Sequence, residues 1–357
     1  MSRFLSDKYA SLIPYVPGEQ PKDKQYIKLN TNESPFPPSK FAIELAGREV
    51  EKCNLYSDPE MRELTKILAN TLGVSEREVL ATNGSDEILS FAFMAYCDEK
   101  TPAVFADVTY GFYKVFADLY SVDKKVIPLK DDFSIKIQDY FNVKGTIFIA
   151  NPNAPTGIAL SVDEIRQILE NNPKNVVVID EAYVDFGTES VVPLIREYDN
   201  LLVTQTFSKS RSLAGARLGF GVASEKIIND LKAIKYCTNP YNVNKITAQA
   251  GIGALTDVEY FNANVKSIIE NRDKTAKELA ELGFELTNSK ANFIFAKSKK
   301  ISGEKLYLRL KDKGVLVRYF DKERIKEYVR ITIGSKEQMD IFIEKVKEIL
   351  EETNEDC

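Results

Sequence analysis

The chain has 357 residues, room for two ordinary domains or one large α/β subunit, and 44% of them are hydrophobic, so a sizeable core can form. A net charge of −5 without a basic stripe argues against a nucleic-acid partner, and no apolar run approaches membrane-span length. Histidine is absent, which excludes a serine–histidine–aspartate relay, a histidine-ligated metal and imidazole acid–base chemistry, and leaves Lys, Asp, Tyr and Arg to carry any catalysis. Cys53, Cys97, Cys237 and Cys357 are widely spaced with no paired metal pattern. Reduced thiols in a cytoplasm are the expectation, and no early cationic stretch followed by an apolar segment marks a secretory signal.

Residues 1–30 contain Pro14, Pro17, Gly18 and Pro21 and read as an irregular arm. From about residue 60 helical and strand patterns alternate. MRELTKILANTL (61–72) has helical periodicity, VLATN (79–83) is short and extended, SDEILSFAFMAYC (85–97) returns to helix and PAVFADV (102–108) to strand. KVIPL (125–129), TIFIAN (146–151), NVVVID (175–180), LLVTQ (201–205) and LGFGVA (218–223) continue the strand series. That rhythm predicts a predominantly parallel sheet covered on both faces. After Asn239-Pro240 the pattern changes to one long helical region, 243–282. The short strands FELTNS (284–289), NFIFAK (292–297), GVLVRYF (314–320) and YVRITI (328–333) follow. A closing helix, 336–350, buries Met339, Phe342, Val346 and Ile349 at three/four spacing. This predicts a second, smaller α+β domain, with the acidic tail 351–357 frayed.

The chemistry concentrates in TFSKSRSLAGARLGF (206–220). A lysine is usually a solvated surface charge, but Lys209 follows the apolar run NLLVTQ, is flanked by small hydroxyl residues and precedes an Ala/Gly-rich segment. That context suits an amine at a strand end in a partly dehydrated pocket, where its pKa falls and its neutral form can add to a carbonyl. Thr206, Ser208 and Arg217 would supply the hydroxyls and planar cation that a phosphate needs. An amine beside a phosphate cradle is what a pyridoxal phosphate enzyme requires. Upstream, the β-branched run Val176–Ile179 places Asp180 at the mouth of a central strand, where ligands of open α/β sheets collect. A carboxylate there can keep a pyridine nitrogen protonated, and Tyr183 can donate to the ring's phenolic oxygen. NGSDE (83–87) links a strand to a helix. By itself it is a plain helix cap; beside the proposed cradle, Gly84 and the amides of Ser85 and Asp86 would meet the phosphate.

Taken together, these segments resemble the fold-type I pyridoxal phosphate aminotransferases, and within them the histidinol-phosphate aminotransferase branch. The resemblance runs from LIPYVPGE (12–19) and LNTNESPFPPS (29–39) through LYSDPE (55–60), NGSDE and VTYGFY (108–113) to YVRITIGS (328–335). It implies an α/β fold with a large domain, 31–260, built on a mostly parallel seven-stranded sheet. A small α+β domain, 261–357, and the arm 1–30, joined to the small domain and a dimer interface, complete it. It implies pyridoxal 5'-phosphate held by Lys209, Tyr110 stacked on the pyridine face, and Tyr56 reaching the cofactor phosphate of the neighbouring subunit in a homodimer. It implies that Arg330 grips a substrate carboxylate, with Arg318 and Tyr15 as further ligands for a phosphorylated amino alcohol or its ketone. One departure stands out: the family's asparagine before Pro-Thr-Gly is Ala154 here, so either Asn153 takes its role or Tyr183 alone holds the phenolic oxygen. The implied reaction is amino transfer between glutamate and imidazole acetol phosphate, with no metal and no membrane or nucleic-acid partner. An aromatic aminotransferase or a phosphoamino-acid decarboxylase would share most of this machinery.

Overall fold

The computed structural model describes residues 2–355. Its centre is a seven-stranded sheet in the spatial order Val79–Thr82, Gly219–Ala223, Leu201–Thr206, Val177–Asp180, Thr146–Ala150, Ala103–Ala106, Lys124–Ile127. All seven segments were legible as strands. The strand Gly219–Ala223 runs antiparallel to both neighbours, and the other adjacent pairs are parallel. Alternation along the buried strands divides their side chains between two cores. Val177, Ile179, Leu201, Val203, Ile147 and Ile149 join one, while Val178, Leu202, Phe148 and Ala150 join the other. Sheets buried on both faces read as continuous apolar runs for this reason.

A third core packs a four-stranded antiparallel sheet, in the order Arg318–Tyr319, Tyr328–Thr332, Phe293–Ser298, Phe284–Leu286, against the C-terminal helices. Met339, Phe342, Val346 and Ile349 are buried, as their spacing predicts. Three local expectations need correction. The helical region after residue 243 is two helices, Lys245–Thr256 and Val258–Glu281, because the carboxylate of Asp257 accepts from the Tyr260 amide and starts the second one. The segment 314–320 is two strands: Val315–Leu316 pairs with Ile27–Lys28 of the arm, and Arg318–Tyr319 turns into the four-stranded sheet. The last helix, Lys336–Glu355, continues through most of the tail expected to fray. Residues 356 and 357, including Cys357, lie outside the described residues; among the described residues, Cys53, Cys97 and Cys237 form no disulfide. Among the described residues, no helix is long and apolar enough to cross a membrane.

The topology brings several chain ends to one edge. Asp180 and Thr206 lie at the carboxyl ends of parallel strands, and Gly219 pairs with both Thr206 and Thr82. The turn after Thr82 therefore packs directly on Gly219, where an added Cβ would lie 2.3 Å from the Ser85 amide nitrogen. Replacing Gly219 with alanine is expected to cost about 1–3 kcal/mol, read as an earlier urea midpoint. Gly47→Ala, in a helix where a Cβ meets nothing within 4 Å, should instead be neutral or stabilising by up to about 1 kcal/mol.

Candidate active site

At this edge a cavity of about 320 Å³ is lined by Ser85, Asp86, Tyr110, Asp180, Tyr183, Thr206, Ser208, Lys209 and Arg217. Lys209 and Asp180, singled out separately in the sequence, face one space. At one end, the helix Ser85–Tyr96 begins without a side-chain cap, so its first-turn amides lack partners within the helix. Arg217 sits in the left-handed region at φ +56° and donates from Nη1 to Ser208 Oγ at 3.4 Å. Thr206 Oγ1 lies 3.0 Å from Ser208 Oγ and accepts from the Ser208 amide at 3.1 Å. Gly84, at φ +79°, passes so close that a Cβ there would lie 2.8 Å from Arg217 Nη2. The Asp86 carboxylate does not enter this cradle as a free charge: it accepts from Arg217 Nη2 at 3.2 Å and from Tyr110 Oη at 2.7 Å, orienting both. Hydroxyls, unpaired amides and a guanidinium around a glycine turn fit a phosphate group.

At the other end, Asp180 accepts from the Ala182 amide at 3.1 Å and from Tyr113 Oη at 3.2 Å. Burial still pushes its carboxyl up to about 7. Lys209 reaches the Thr31 carbonyl at 3.4 Å, and burial, with Arg330 as a second cause, pushes its amine down to about 8. Tyr183 Oη accepts from Asn32 Nδ2 at 2.9 Å, which leaves its own proton free for the cavity. Asn32, at φ +55°, is itself held through its Oδ1 by Thr332 Oγ1 at 3.1 Å. An acid for a ring nitrogen, an amine and a phenol donor thus surround a space whose far end fits a phosphate. The residues present fit pyridoxal phosphate.

Asn153 does not replace the asparagine missing at Ala154. Its Oδ1 accepts from Thr109, its Nδ2 donates to the Val108 carbonyl and to Thr156, and it does not line the cavity, whereas Ala154 does. The segment 108–109 and Thr156 take up both of its donors and its oxygen. The reading from sequence also missed Asn32, Tyr113 and the Thr31 carbonyl. All three lie in the blocks LNTNESP and VTYGFY, but nothing in their spacing shows that the first closes over Tyr183 and the second donates to Asp180.

A second cavity, of about 490 Å³, adjoins the first, and Thr31, Tyr110, Ala154, Tyr183 and Lys209 line both. Arg318 and Arg330 face it from positions directly opposite each other on antiparallel strands. Like charges so placed are destabilising, so a bound anion would relieve the pair. Arg330 donates from Nη2 to the Asn30 carbonyl at 3.0 Å, while its buried Nε has no partner. Both guanidinium carbons lie over the Phe320 ring, at 5.4 and 5.6 Å. Arg318 also donates to the carbonyls of Val16 and Pro17 at 2.9 and 3.1 Å, tying down the arm whose Tyr15 packs on Phe112 with ring centroids 4.5 Å apart. Tyr56 lines neither cavity. It is 80% exposed and stacks on Tyr241.

The profile of the aminotransferase class I and II family matches residues 24–346. The chain belongs to that family. It is 51% identical over 352 residues to a histidinol-phosphate aminotransferase of Brachyspira hyodysenteriae, covering 98% of this chain and 99% of the relative. It is 49% identical over 353 residues to one of Clostridium botulinum, with the same coverage. Its fold matches the crystal structure of the Sinorhizobium meliloti histidinol-phosphate aminotransferase in complex with pyridoxal-5'-phosphate, at TM-score 0.90 and 21% identity over 99% of each chain.

The site's buried acids set a pH dependence. Asp180 and its neighbour Glu181 are both pushed up to about 7 by burial, so each binds more protons folded than unfolded between the ordinary carboxylate range and that value. The stability they contribute is complete at low pH and is lost as pH rises through about 7. Lys209, depressed, has the opposite sign and acts between about 8 and its ordinary range. Urea unfolding of the cofactor-free protein at pH 4.5 and 7.5 should therefore show Asp180→Asn losing less stability than wild type across that interval. The difference in slope should be on the order of 1 kcal/mol per pH unit, and equal slopes would contradict the assignment.

Proposed function

We propose that this chain is a pyridoxal-phosphate-dependent transaminase that moves an amino group from glutamate to imidazole acetol phosphate, reversibly yielding 2-oxoglutarate and histidinol phosphate in histidine biosynthesis. The full-length similarity to histidinol-phosphate aminotransferases at about half identity supports it. The observation that carries it is Lys209 on the wall common to two cavities, one fit for a phosphorylated ring and the other bearing two opposed arginines.

When bound, pyridoxal phosphate supplies an aldehyde that condenses with amines and a ring that takes up electrons as an α-proton leaves. The chain's own residues do the rest. Arg217, Ser208, Thr206, Ser85 and the amides after Gly84 hold the phosphate, and Asp180 keeps the ring nitrogen protonated. Tyr110 and Tyr183 orient the ring, with Tyr183 donating to its phenolic oxygen. Lys209, its amine shifted toward neutrality by burial, would take up the α-proton of the substrate at Nζ and hold it for return. Arg330 grips the carboxylate of glutamate, and Arg318 joins it for the phosphate ester, which carries no carboxylate. Tyr15, on the arm that Arg318 tethers, covers the bound substrate and excludes water.

The protein acts as a homodimer in the cytoplasm. Supporting the dimer, Phe41, Ile43, Val50, Leu55 and Tyr56 are apolar or aromatic yet 40–80% exposed, and they lie on one continuous stretch of chain. Tyr56 from each subunit completes the phosphate site of its partner.

Incubating the purified protein with labelled glutamate and a panel of acceptors tests the assignment. Imidazole acetol phosphate should exceed phenylpyruvate by at least about 100-fold in kcat/KM, since without a phosphate the two opposed arginines keep their like-charge contact and Arg330 Nε stays without a partner. A preference for phenylpyruvate would establish the aromatic reading, and release of carbon dioxide the decarboxylase one. Lys209→Ala should lose the visible band of the bound cofactor and nearly all turnover. Mixing Lys209→Ala and Tyr56→Ala proteins under conditions of subunit exchange should regenerate about a quarter of wild-type activity, because half the dimers would be hybrids with one intact site. No recovery would refute the shared site.

A further inference from the structure

Next to Asp180 lies a second buried carboxylate that the reaction does not use. Glu181 is 1% exposed and does not line either cavity. Its Oε1 accepts from the Val191 amide at 2.7 Å, and its Oε2 accepts from Ser190 Oγ at 2.7 Å and Gln205 Nε2 at 2.8 Å. These donors are all neutral. A buried carboxylate without a cation is a poor device for stability, because its desolvation outweighs what neutral donors return. It is a good device for geometry, since three charge-assisted hydrogen bonds converge on one rigid group.

What they hold together is informative. Glu181 is the first residue after the strand that ends in Asp180, and its own amide bonds the Thr204 carbonyl at 2.8 Å. Gln205 is the last residue before Thr206, where the cavity-lining stretch 206–209 begins. On the far side of that stretch, Ser210, buried next to Lys209, donates to Asp185 from the same loop that follows Asp180. The loop carrying Tyr183 thus grips the lysine segment at residues 205 and 210, bracketing the groups that hold phosphate and amine.

We propose that Glu181 is a positioning residue for amino transfer: through Gln205 and Ser190, with Asp185 on Ser210 closing the other side, it sets Lys209 and the phosphate-holding hydroxyls relative to Asp180 and Tyr183. This rests on the reading of the first cavity as the cofactor chamber.

The test uses the cofactor-loaded enzyme. In Glu181→Gln one acceptor becomes a donor facing Gln205 and Ser190, so the clamp opens while the side-chain volume is kept. The variant should keep its far-UV circular dichroism and bind the cofactor. Its visible circular dichroism, which reports ring orientation, should fall by about half, and kcat by about tenfold or more, with KM for glutamate within about twofold. The exchanged pair Glu181→Gln with Gln205→Glu restores a carboxylate facing an amide across the same gap and should recover most of both signals. If Glu181→Gln does not fold, Gln205→Leu, which removes one donor only, should show the same pattern at smaller amplitude. Unchanged visible dichroism with kcat within about twofold of wild type, or a folded exchange pair that recovers nothing, would overturn the proposal while leaving the transaminase reading intact. A wild-type protein that takes up no cofactor would instead overturn that reading, and this inference with it.

Discussion

The ε-amino group of Lys209 is held partly buried on the wall shared by two cavities, where its charged form is poorly solvated, and the surrounding structure makes that placement possible. Depressing an amine from its ordinary range to about 8 corresponds to roughly 3 kcal/mol against its charged form. Asp180, pushed up to about 7 for the same reason, lines the same cavity. Both groups are poised near neutrality by dehydration, the state in which small changes in their surroundings move protons. Neither would be tolerated in an isolated helix or loop. They persist because two hydrophobic cores, one on each face of the seven-stranded sheet, hold the strand ends that carry them.

The sheet's one antiparallel member connects this burial to anion binding. By pairing with the strand that ends in Thr206 and the strand that ends in Thr82, Gly219–Ala223 draws the hydroxyls of Thr206 and Ser208 and the start of the helix at Ser85 together. The close packing of Gly219 on Ser85 and of Gly84 on Arg217 leaves no room for side chains between them. The four-stranded sheet supplies the complementary half of the site. Its register sets Arg318 opposite Arg330, concentrating positive charge at the mouth of the Lys209 cavity. The arm then ties to that charge through the carbonyls of Val16 and Pro17, so one guanidinium serves both the covering segment and the chamber beneath it.

Much of this was legible in the linear chain. Continuous β-branched and apolar runs marked the central strands of the large sheet, because a strand buried on both faces has few polar positions to spare, whereas the edge strand Lys124–Ile127 carries exposed lysines. The closing helix announced its buried face by three/four spacing. Boundaries were less legible: Asp257 divides two helices through a capping contact that composition does not display, and the arm splits 314–320 into two strands by pairing with half of it. Within the site, residues that act at strand ends or follow glycine turns stood out. Those that act through long-range hydrogen bonds did not, as Asn32 on Tyr183 and Tyr113 on Asp180 illustrate.

The amino-acid sequence by itself determined the chemical inventory: no imidazole, one lysine after an apolar strand, one aspartate at the mouth of another, and an arginine eight residues beyond the lysine. Residue type and local periodicity suffice for that, since strand burial and strand ends are written in neighbouring positions. Only the tertiary structure decided which of these groups share a cavity, how far burial moves their protons, and that Asn153 is spent on Val108, Thr109 and Thr156 while Asn32 comes from 151 residues away to orient Tyr183. Dehydration and hydrogen-bond partnership depend on what packs from distant parts of the chain, and no window of sequence contains that information.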